Sequence, residues 1–414
     1  MTSVRVELPP RGTFFHLALS TGLLLLQSYS DPGAQPSIDS RSMTLHLPSD
    51  SIVASSVRDL VDDLRKGVFG LRPSLKADAQ RLKVLANFFS LKQINVKRID
   101  AEGVLMAYAD YLDELAKQQR LISELSSALG RFMDGYPVDA RICNVPMLNK
   151  LMPEFMEGVR TIGGIGFGSV PSRLGFSRMR VGPHSTCIGL IGLWSSLIAI
   201  QRRERQRLEY YIFPDLFLQL RYGGVRARDV TDQHKIIVGG LRGCTPSNIA
   251  AQALFVSLQA AASPHRLTGY RSAVIGQGAR RSDLYEQDLP LDIENLRCFA
   301  DELVLLEQSA KRRTHRRLQN LLRAALSEPR GRDEREERLS RQLHNAGIRI
   351  AQLIFMALTH SIGTEQLAYE AARLMYAHTD VEFERWARQR GALLEPSDLP
   401  LIVRAIESCL KRLP

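Results

Sequence analysis

Gly189–Asp215 reads GLIGLWSSLIAIQRRERQRLEYYIFPD, and three kinds of sequence meet in it. Apolar residues run almost unbroken from Cys187 to Ile200, longer than an ordinary strand, which predicts a buried helix. RRERQR, Arg202 to Arg207, then sets four arginines in six positions. Leu208–Phe213, LEYYIF, concentrates β-branched and aromatic residues and predicts a strand closed by Pro214. Two further stretches have strand-like composition, LFLQLRY (Leu216 to Tyr222) and HKIIVGG (His234 to Gly240), with Gly223 and Gly224 between them. A helix, a basic connection and strands in close succession commit this part of the chain to mixed α and β structure.

Toward the N-terminus, FFHLALSTGLLLL (Phe14 to Leu26) is too short for a transmembrane helix, which takes about 20 residues. It resembles a secretory signal, but no A-x-A pattern follows it. A buried helix whose small residues permit close packing is the preferred reading. Ser28 to Asp50 reads as a loop with one short strand at MTLHL (Met43 to Leu47). Val57, Leu60, Val61 and Leu64 fall at helical spacing, and further helices are expected over about Ala77–Phe89 and Ala101–Met133. Residues 139–185 are irregular, with Pro146, Pro153, Pro171 and Pro183 among many glycines.

Toward the C-terminus, Thr245-Pro246-Ser247-Asn248 opens a helix, and a Gly-containing linker follows. Four amphipathic helices are then expected at roughly 291–327, 333–361, 364–390 and 397–412, naturally packed as a bundle. The expected fold class is α+β: a mixed body over 1–265, a linker over 266–290 and a C-terminal helical bundle over 291–414.

Composition narrows function. Lys plus Arg outnumber Asp plus Glu by 55 to 44, a net charge of +11. Such an excess suits polyanionic partners, above all nucleic acid, although an acidic protein or a membrane surface would also attract it. The five cysteines, Cys143, Cys187, Cys244, Cys298 and Cys409, form no CxxC pair. That spacing fits buried thiols in a reducing cytoplasm, with no structural metal expected. No H-E-x-x-H, G-x-S-x-G or carboxylate cluster appears, so no catalytic residue and no cofactor is assigned. GGIGFGS (Gly163 to Ser169) lacks the Lys-Ser/Thr of a phosphate-binding loop. A loop approaching a backbone is preferred there to a nucleotide site.

Arginine is the distinctive feature. Besides Arg202, Arg203, Arg205 and Arg207, the chain carries Arg221, Arg226 and Arg228 just after strand-like sequence. KRRTHRR contributes Lys311, Arg312, Arg313, Arg316 and Arg317. On a continuous helix, 312, 313, 316 and 317 would share one face and repel one another, which an anion would relieve. Arginine also forks to phosphate as lysine cannot. A solvated or carboxylate-paired face is the competing reading. The mixed-sign run Arg330 to Arg341 is expected to be a solvated helix. Tyr210, Tyr211, Tyr222 and Tyr270 are more simply core residues than base-stacking ones.

The passage Gly189–Asp215, the segment TPSNIAAQALFVSLQAAASPHR (Thr245 to Arg266) and the layout of a mixed body before a helical bundle resemble the large subunit of archaeal type I (I-A-like) CRISPR interference complexes, or Cascade. The resemblance implies a non-catalytic, cytoplasmic protein with no membrane association. Its partners would be crRNA, target DNA, the other subunits and a helicase-nuclease. It would contact a protospacer-adjacent motif in duplex DNA and assist R-loop formation, base pairing supplying the sequence readout. The family offers no motif that assigns motif-reading residues. Asn144, Asn149 and Lys150 are named for that role on the chemistry of their side chains alone. The alternative is a nucleic-acid-processing enzyme with a dispersed, metal-dependent active site.

Overall fold

The computed structural model describes residues 2–9, 13–39, 41–129, 132–133, 136–137, 145–146, 148–151, 180–203, 206–217, 225–246, 248–261, 269–277, 282–377 and 380–412. The fold is α+β with a helical C-terminal region. The chain divides into two compact units. One comprises Met1–Arg242 with Gly269–Pro290, the other Gly243–Thr268 with Leu291–Pro414.

The first unit is organised around helix α1 (Phe14–Ser30), in which every residue but Tyr29 is buried. Thr13 caps it, accepting the His16 amide at 3.2 Å. A helix apolar all round must be covered on all sides, and its main partner is another such helix, α6 (Pro183–Ser196), wholly buried. Glycine permits their approach. A Cβ on Gly22 would sit 2.0 Å from the Ile188 carbonyl oxygen, and one on Gly192 1.9 Å from that of Ala18. The buried Gln27 amide serves as a substitute strand edge, donating to the His46 carbonyl at 2.7 Å and accepting the His46 amide at 2.5 Å. That ties α1 to an antiparallel sheet of order β1-β3-β2, with β1 at Thr2–Glu7, β2 at Ser37–Ile38 and β3 at Ser42–Leu47.

Helices α2 (Asp50–Lys66), α3 (Ala79–Leu91), α4 (Ala101–Lys117) and α5 (Leu121–Leu129) complete this side. Arg58 of α2 pairs with Asp110 and Asp113 of α4, and the Asp50 carboxylate accepts the Leu121 and Ile122 amides at the start of α5. The expected single helix over Ala101–Met133 is therefore two helices. The chain turns at Gln119, whose φ of 54° no helix accommodates.

Short two-residue strands β4 (Phe132–Met133) with β5 (Tyr136–Pro137), and β6 (Val145–Pro146) with β7 (Arg180–Val181), precede α6. The expected helix over Cys187–Ile200 stops at Ser196. Leu197–Arg203 is strand β8, paired antiparallel with β9 (Gln206–Pro214). An apolar run does not distinguish a buried helix from a buried strand, and here it contains both. The expected strand at His234–Gly240 lies instead within helix α7 (Ala227–Leu241). Val230, His234, Ile237, Val238 and Leu241 are its buried face, and that three-to-four spacing outweighs the β-branched composition. Most of LFLQLRY, 218–222, lies outside the described residues. Nor is 266–290 a plain linker: β10 (Gly269–Gln277) and β11 (Ser282–Asp292) join a four-stranded sheet of order β11-β10-β9-β8.

The second unit is helical among its described residues: α8 (Ile249–Ala261), α9 (Glu294–Ala310), α10 (Thr314–Ala325), α11 (Glu334–Leu358), α12 (Thr364–Ala377), α13 (Val381–Gln389) and α14 (Leu399–Leu410). Apolar α8 packs against α9, α10 and α11. The expected helix over 291–327 divides at Lys311, which caps α9 in the left-handed conformation with φ 51°. The one over 364–390 divides before α13, where the Asp380 carboxylate accepts the Glu382 amide at 3.0 Å. No described helix is long and apolar enough to cross a membrane.

Two stability predictions follow from the first unit. Gly192→Ala places a methyl group against the α1 backbone, so its expected cost is about 1–3 kcal/mol, read as a lowered Tm in calorimetry. Burial holds His234 neutral, with its pKa pushed down to about 3. The unfolded chain takes up that proton near pH 6.5, so stability falls as pH drops from there toward 3, by about 1.4 kcal/mol per pH unit. Urea midpoints at successive pH values should fall less steeply in His234→Gln than in the natural chain.

Candidate nucleic-acid interface

The densest basic run, KRRTHRR, does not form the continuous helical face expected of it. Lys311, Arg312 and Arg313 connect α9 to α10, and only Thr314 onward is helical. What fixes this corner is a buried carboxylate. Asp398 accepts the Thr314 hydroxyl at 2.6 Å, Arg317 Nη1 at 3.0 Å and the Glu395 amide at 2.8 Å. Arg317 also donates to Glu395 Oε1 at 2.9 Å. Burial is the largest influence and works against its charge, but the hydrogen bonds and charge attraction of Asp398 and Glu395 together outweigh it and raise its pKa. Arg312 is used up differently, donating to the Ser397 carbonyl at 2.8 Å. The His315 amide donates to Glu307 Oε2 at 2.7 Å, and burial lowers the pKa of its imidazole, which lies 3.1 Å from the Leu258 carbonyl.

Three members of the run remain, of which Lys311 is exposed at the end of α9. Arg313 and Arg316 are exposed and line an open groove of about 380 Å³ together with Arg317, Arg388 and Arg390. Asn320 of α10 closes its floor by donating to the Gly391 carbonyl at 3.1 Å, and Gly391 takes φ 60°, a turn favouring glycine. Glu395, already held by Arg317, is the one carboxylate on the lining among the described residues. Among the described residues, Arg313, Arg316 and Arg388 make no side-chain hydrogen bond or ion pair. Arg313 and Arg316 also stand at the N-terminus of α10, whose first turn has no acidic residue. The helix dipole is positive there, so cations are disfavoured and anions favoured at the same place.

The other expected site residues divide clearly. Lys150 is a correction: it is fully buried, donating to Glu209 Oε2 and to the Ser74 carbonyl, each at 2.6 Å. Desolvation lowers its pKa despite Glu209. A side chain sealed in this way cannot reach a base edge. Asn149 sits beside it in a 3-10 turn, Asn149–Leu151, while Asn144, Arg205, Arg221 and the glycine run lie outside the described residues. Arg203 ends β8. Arg202 is exposed on β8 opposite Arg207 of β9, and Arg207 Nε lies 3.2 Å from buried Glu209. Arg202 and Arg203 are thus paired with Arg207 and Gln206 at the adjoining ends of β8 and β9. Arg226, at the N-cap of α7, and Arg228, in its first turn, pair with Asp229 at 3.1 Å and Asp232 at 3.3 Å respectively. Tyr211 and Tyr270 are fully buried and Tyr210 nearly so, as core readings require.

Arg388 and Arg390 were not among the sequence candidates. They lie in RWARQRG (Arg385 to Gly391) at alternate positions, a spacing that forms no dense run. Only the turn at Gly391 brings them to α10. Among the described residues, no group of three His, Cys, Asp or Glu side chains is placed to hold a metal ion. Compared with known proteins, the sequence matches no family model, and no curated protein matches it.

The two kinds of arginine predict opposite behaviour in thermal unfolding. Asp398→Ala leaves Thr314 and Arg317 without their buried partner, at an expected cost of about 3–5 kcal/mol. Arg316→Ala, on an exposed side chain with no partner among the described residues, should stay within about 0.5 kcal/mol of the natural chain.

Proposed function

We propose that this protein binds the sugar-phosphate backbone of nucleic acid through the arginine groove of its C-terminal unit, as a non-catalytic subunit of a nucleoprotein complex. The observation that carries the reading is the state of Arg313, Arg316 and Arg388. These three guanidinium groups stand together, exposed, and make no side-chain bond among the described residues. Neighbouring arginines in the same unit are satisfied by Asp398, Glu395, Glu336 and Glu382. Each free guanidinium can fork two hydrogen bonds to a phosphate, and the helix N-terminus beside them adds to the attraction. The net charge of +11 favours encounter with a polyanion.

The finer reading rests on resemblance. A mixed unit followed by a helical one is the layout of the large subunit of type I-A-like CRISPR interference complexes. On this reading the partners are crRNA, target DNA, the remaining subunits and the helicase-nuclease. The role is contact with the protospacer-adjacent motif and support of R-loop formation. Expression beside a CRISPR RNA and its companion subunits tests it directly: stable co-purification with a discrete guide RNA is expected, and its absence would remove the assignment.

The backbone reading has a sharper test. Binding to labelled DNA is measured from low to high salt, with and without magnesium, for the natural chain and for Arg313→Gln/Arg316→Gln/Arg388→Gln. Loss of three phosphate contacts should flatten the plot of log K against log salt by roughly 2–3. The nucleic acid should emerge intact. An unchanged slope would refute the groove as the binding surface, and magnesium-dependent cleavage would refute the non-catalytic role.

A further inference from the structure

The groove does not end at its arginines. Gln389 and Arg390 are shared with a second groove of about 750 Å³, lined by the start of α11 and by α13. The two differ in electrostatics. The first has five arginines against one carboxylate. The second balances Arg332, Arg335, Arg385 and Arg390 against Asp333, Glu336, Asp380 and Glu382. A phosphate is drawn to the first and gains nothing in the second, where charge cancels; a neutral heteroaromatic ring is not repelled there.

At the seam stands Trp386, with the Arg390 guanidinium 3.7 Å from the centre of its ring. Trp386 is half-buried, and its indole N–H has no acceptor among the described residues, so that packing and stacking hold the ring. Arg390 Nη2 also donates to Glu336 Oε1 at 2.7 Å, which helps to hold the guanidinium over the indole. Its side chain is still 42% exposed. An aromatic ring under a planar cation whose side chain is partly exposed makes a stacking platform next to a phosphate-binding strip.

From this geometry we infer that the occupant of the groove is single-stranded nucleic acid. Phosphates run along Arg313, Arg316 and Arg388, and one unpaired base lies on the Arg390–Trp386 platform. A duplex offers phosphates equally well, but its bases are stacked on one another and present no free face; a splayed single strand does. The inference rests on the backbone-binding reading and adds to it the strandedness of the ligand and the residue pair that selects it.

The test separates base from phosphate. Full-length protein is titrated with a single-stranded DNA oligonucleotide of about 12 nucleotides, within the usual site size, and with an abasic oligonucleotide of equal length and charge. Arg390→Lys is measured beside the natural chain, because lysine keeps the charge and loses the flat face. The natural chain is expected to bind the intact strand roughly five- to hundredfold more tightly than the abasic one, the range of one stacked base. Arg390→Lys should close most of that gap by weakening the intact strand alone. Equal binding of the two strands by the natural chain would overturn the inference while leaving backbone binding standing. Equal weakening of both strands in Arg390→Lys would mean that Arg390 acts only as a charge, and would overturn it too. If neither strand binds, the backbone reading falls, and this inference with it.

Discussion

A carboxylate with no exposed surface must find partners for its lone pairs, and Asp398 finds three: the Thr314 hydroxyl, the Arg317 guanidinium and the Glu395 amide. The geometry of the candidate site depends on that requirement. Thr314 and Arg317 are successive contacts on the first turn of α10, so anchoring both fixes the orientation of the helix about its own axis. Arg313 and Arg316 are then directed into the groove. The connection from Gly391 to Asp398 is held by the same knot and by Asn320. Removing one partner from a buried ion pair is far more disruptive than removing a surface charge, because the other is left without compensation. Structural arginine and binding arginine are thus neighbours with different duties, and burial separates them.

The first unit solves a different problem, covering helices that are apolar all round. Gly22 and Gly192 let α1 and α6 approach until backbone meets backbone. Nearby, Lys150 and Glu209 form a wholly buried ion pair, extended by the Ser74 amide and carbonyl and by the Tyr211 hydroxyl, which donates to Glu209 Oε2. Such a pair adds little net stability but tolerates few alternative arrangements. It joins β9 to the segment around Ser74 and to the turn at Asn149–Leu151, which are far apart in sequence. Lys150 therefore belongs to the architecture of the unit.

Legibility in the sequence followed the range of the interactions. Helices with a clean apolar face, such as α2 with Val57, Leu60, Val61 and Leu64, could be read directly, as could the buried helix at Phe14 and the strand LEYYIF. Breaks were harder. Lys311 and Gln119 are ordinary residues in left-handed conformations, and nothing local marks them. HKIIVGG has strand composition but helical spacing, and spacing prevailed. The strands within 266–290 take meaning only from β9, more than fifty residues earlier. For the site, KRRTHRR was visible as charge, whereas the allocation of that charge was not. Asp398 lies 81 residues beyond Arg317, and Arg388 is brought beside Arg316 only by the turn at Gly391.

That allocation bears on what the groove is for. Acidic residues are plentiful around α11 and α13, and they are engaged: Glu382 with Arg335, Glu336 with Arg390, Glu337 with Arg341. Exposed pairs of this kind are each worth well under a kcal/mol, so stability does not demand them and does not explain where they are absent. The absence around Arg313, Arg316 and Arg388 has a physical consequence all the same. Like charges held together at a helix N-terminus raise the energy of the unliganded surface by a small amount, and an anion recovers it on binding. Satisfying these arginines internally would have removed the attraction. Leaving them free costs the fold little, because they are solvated, and it keeps their forked donors available for a ligand with phosphate geometry.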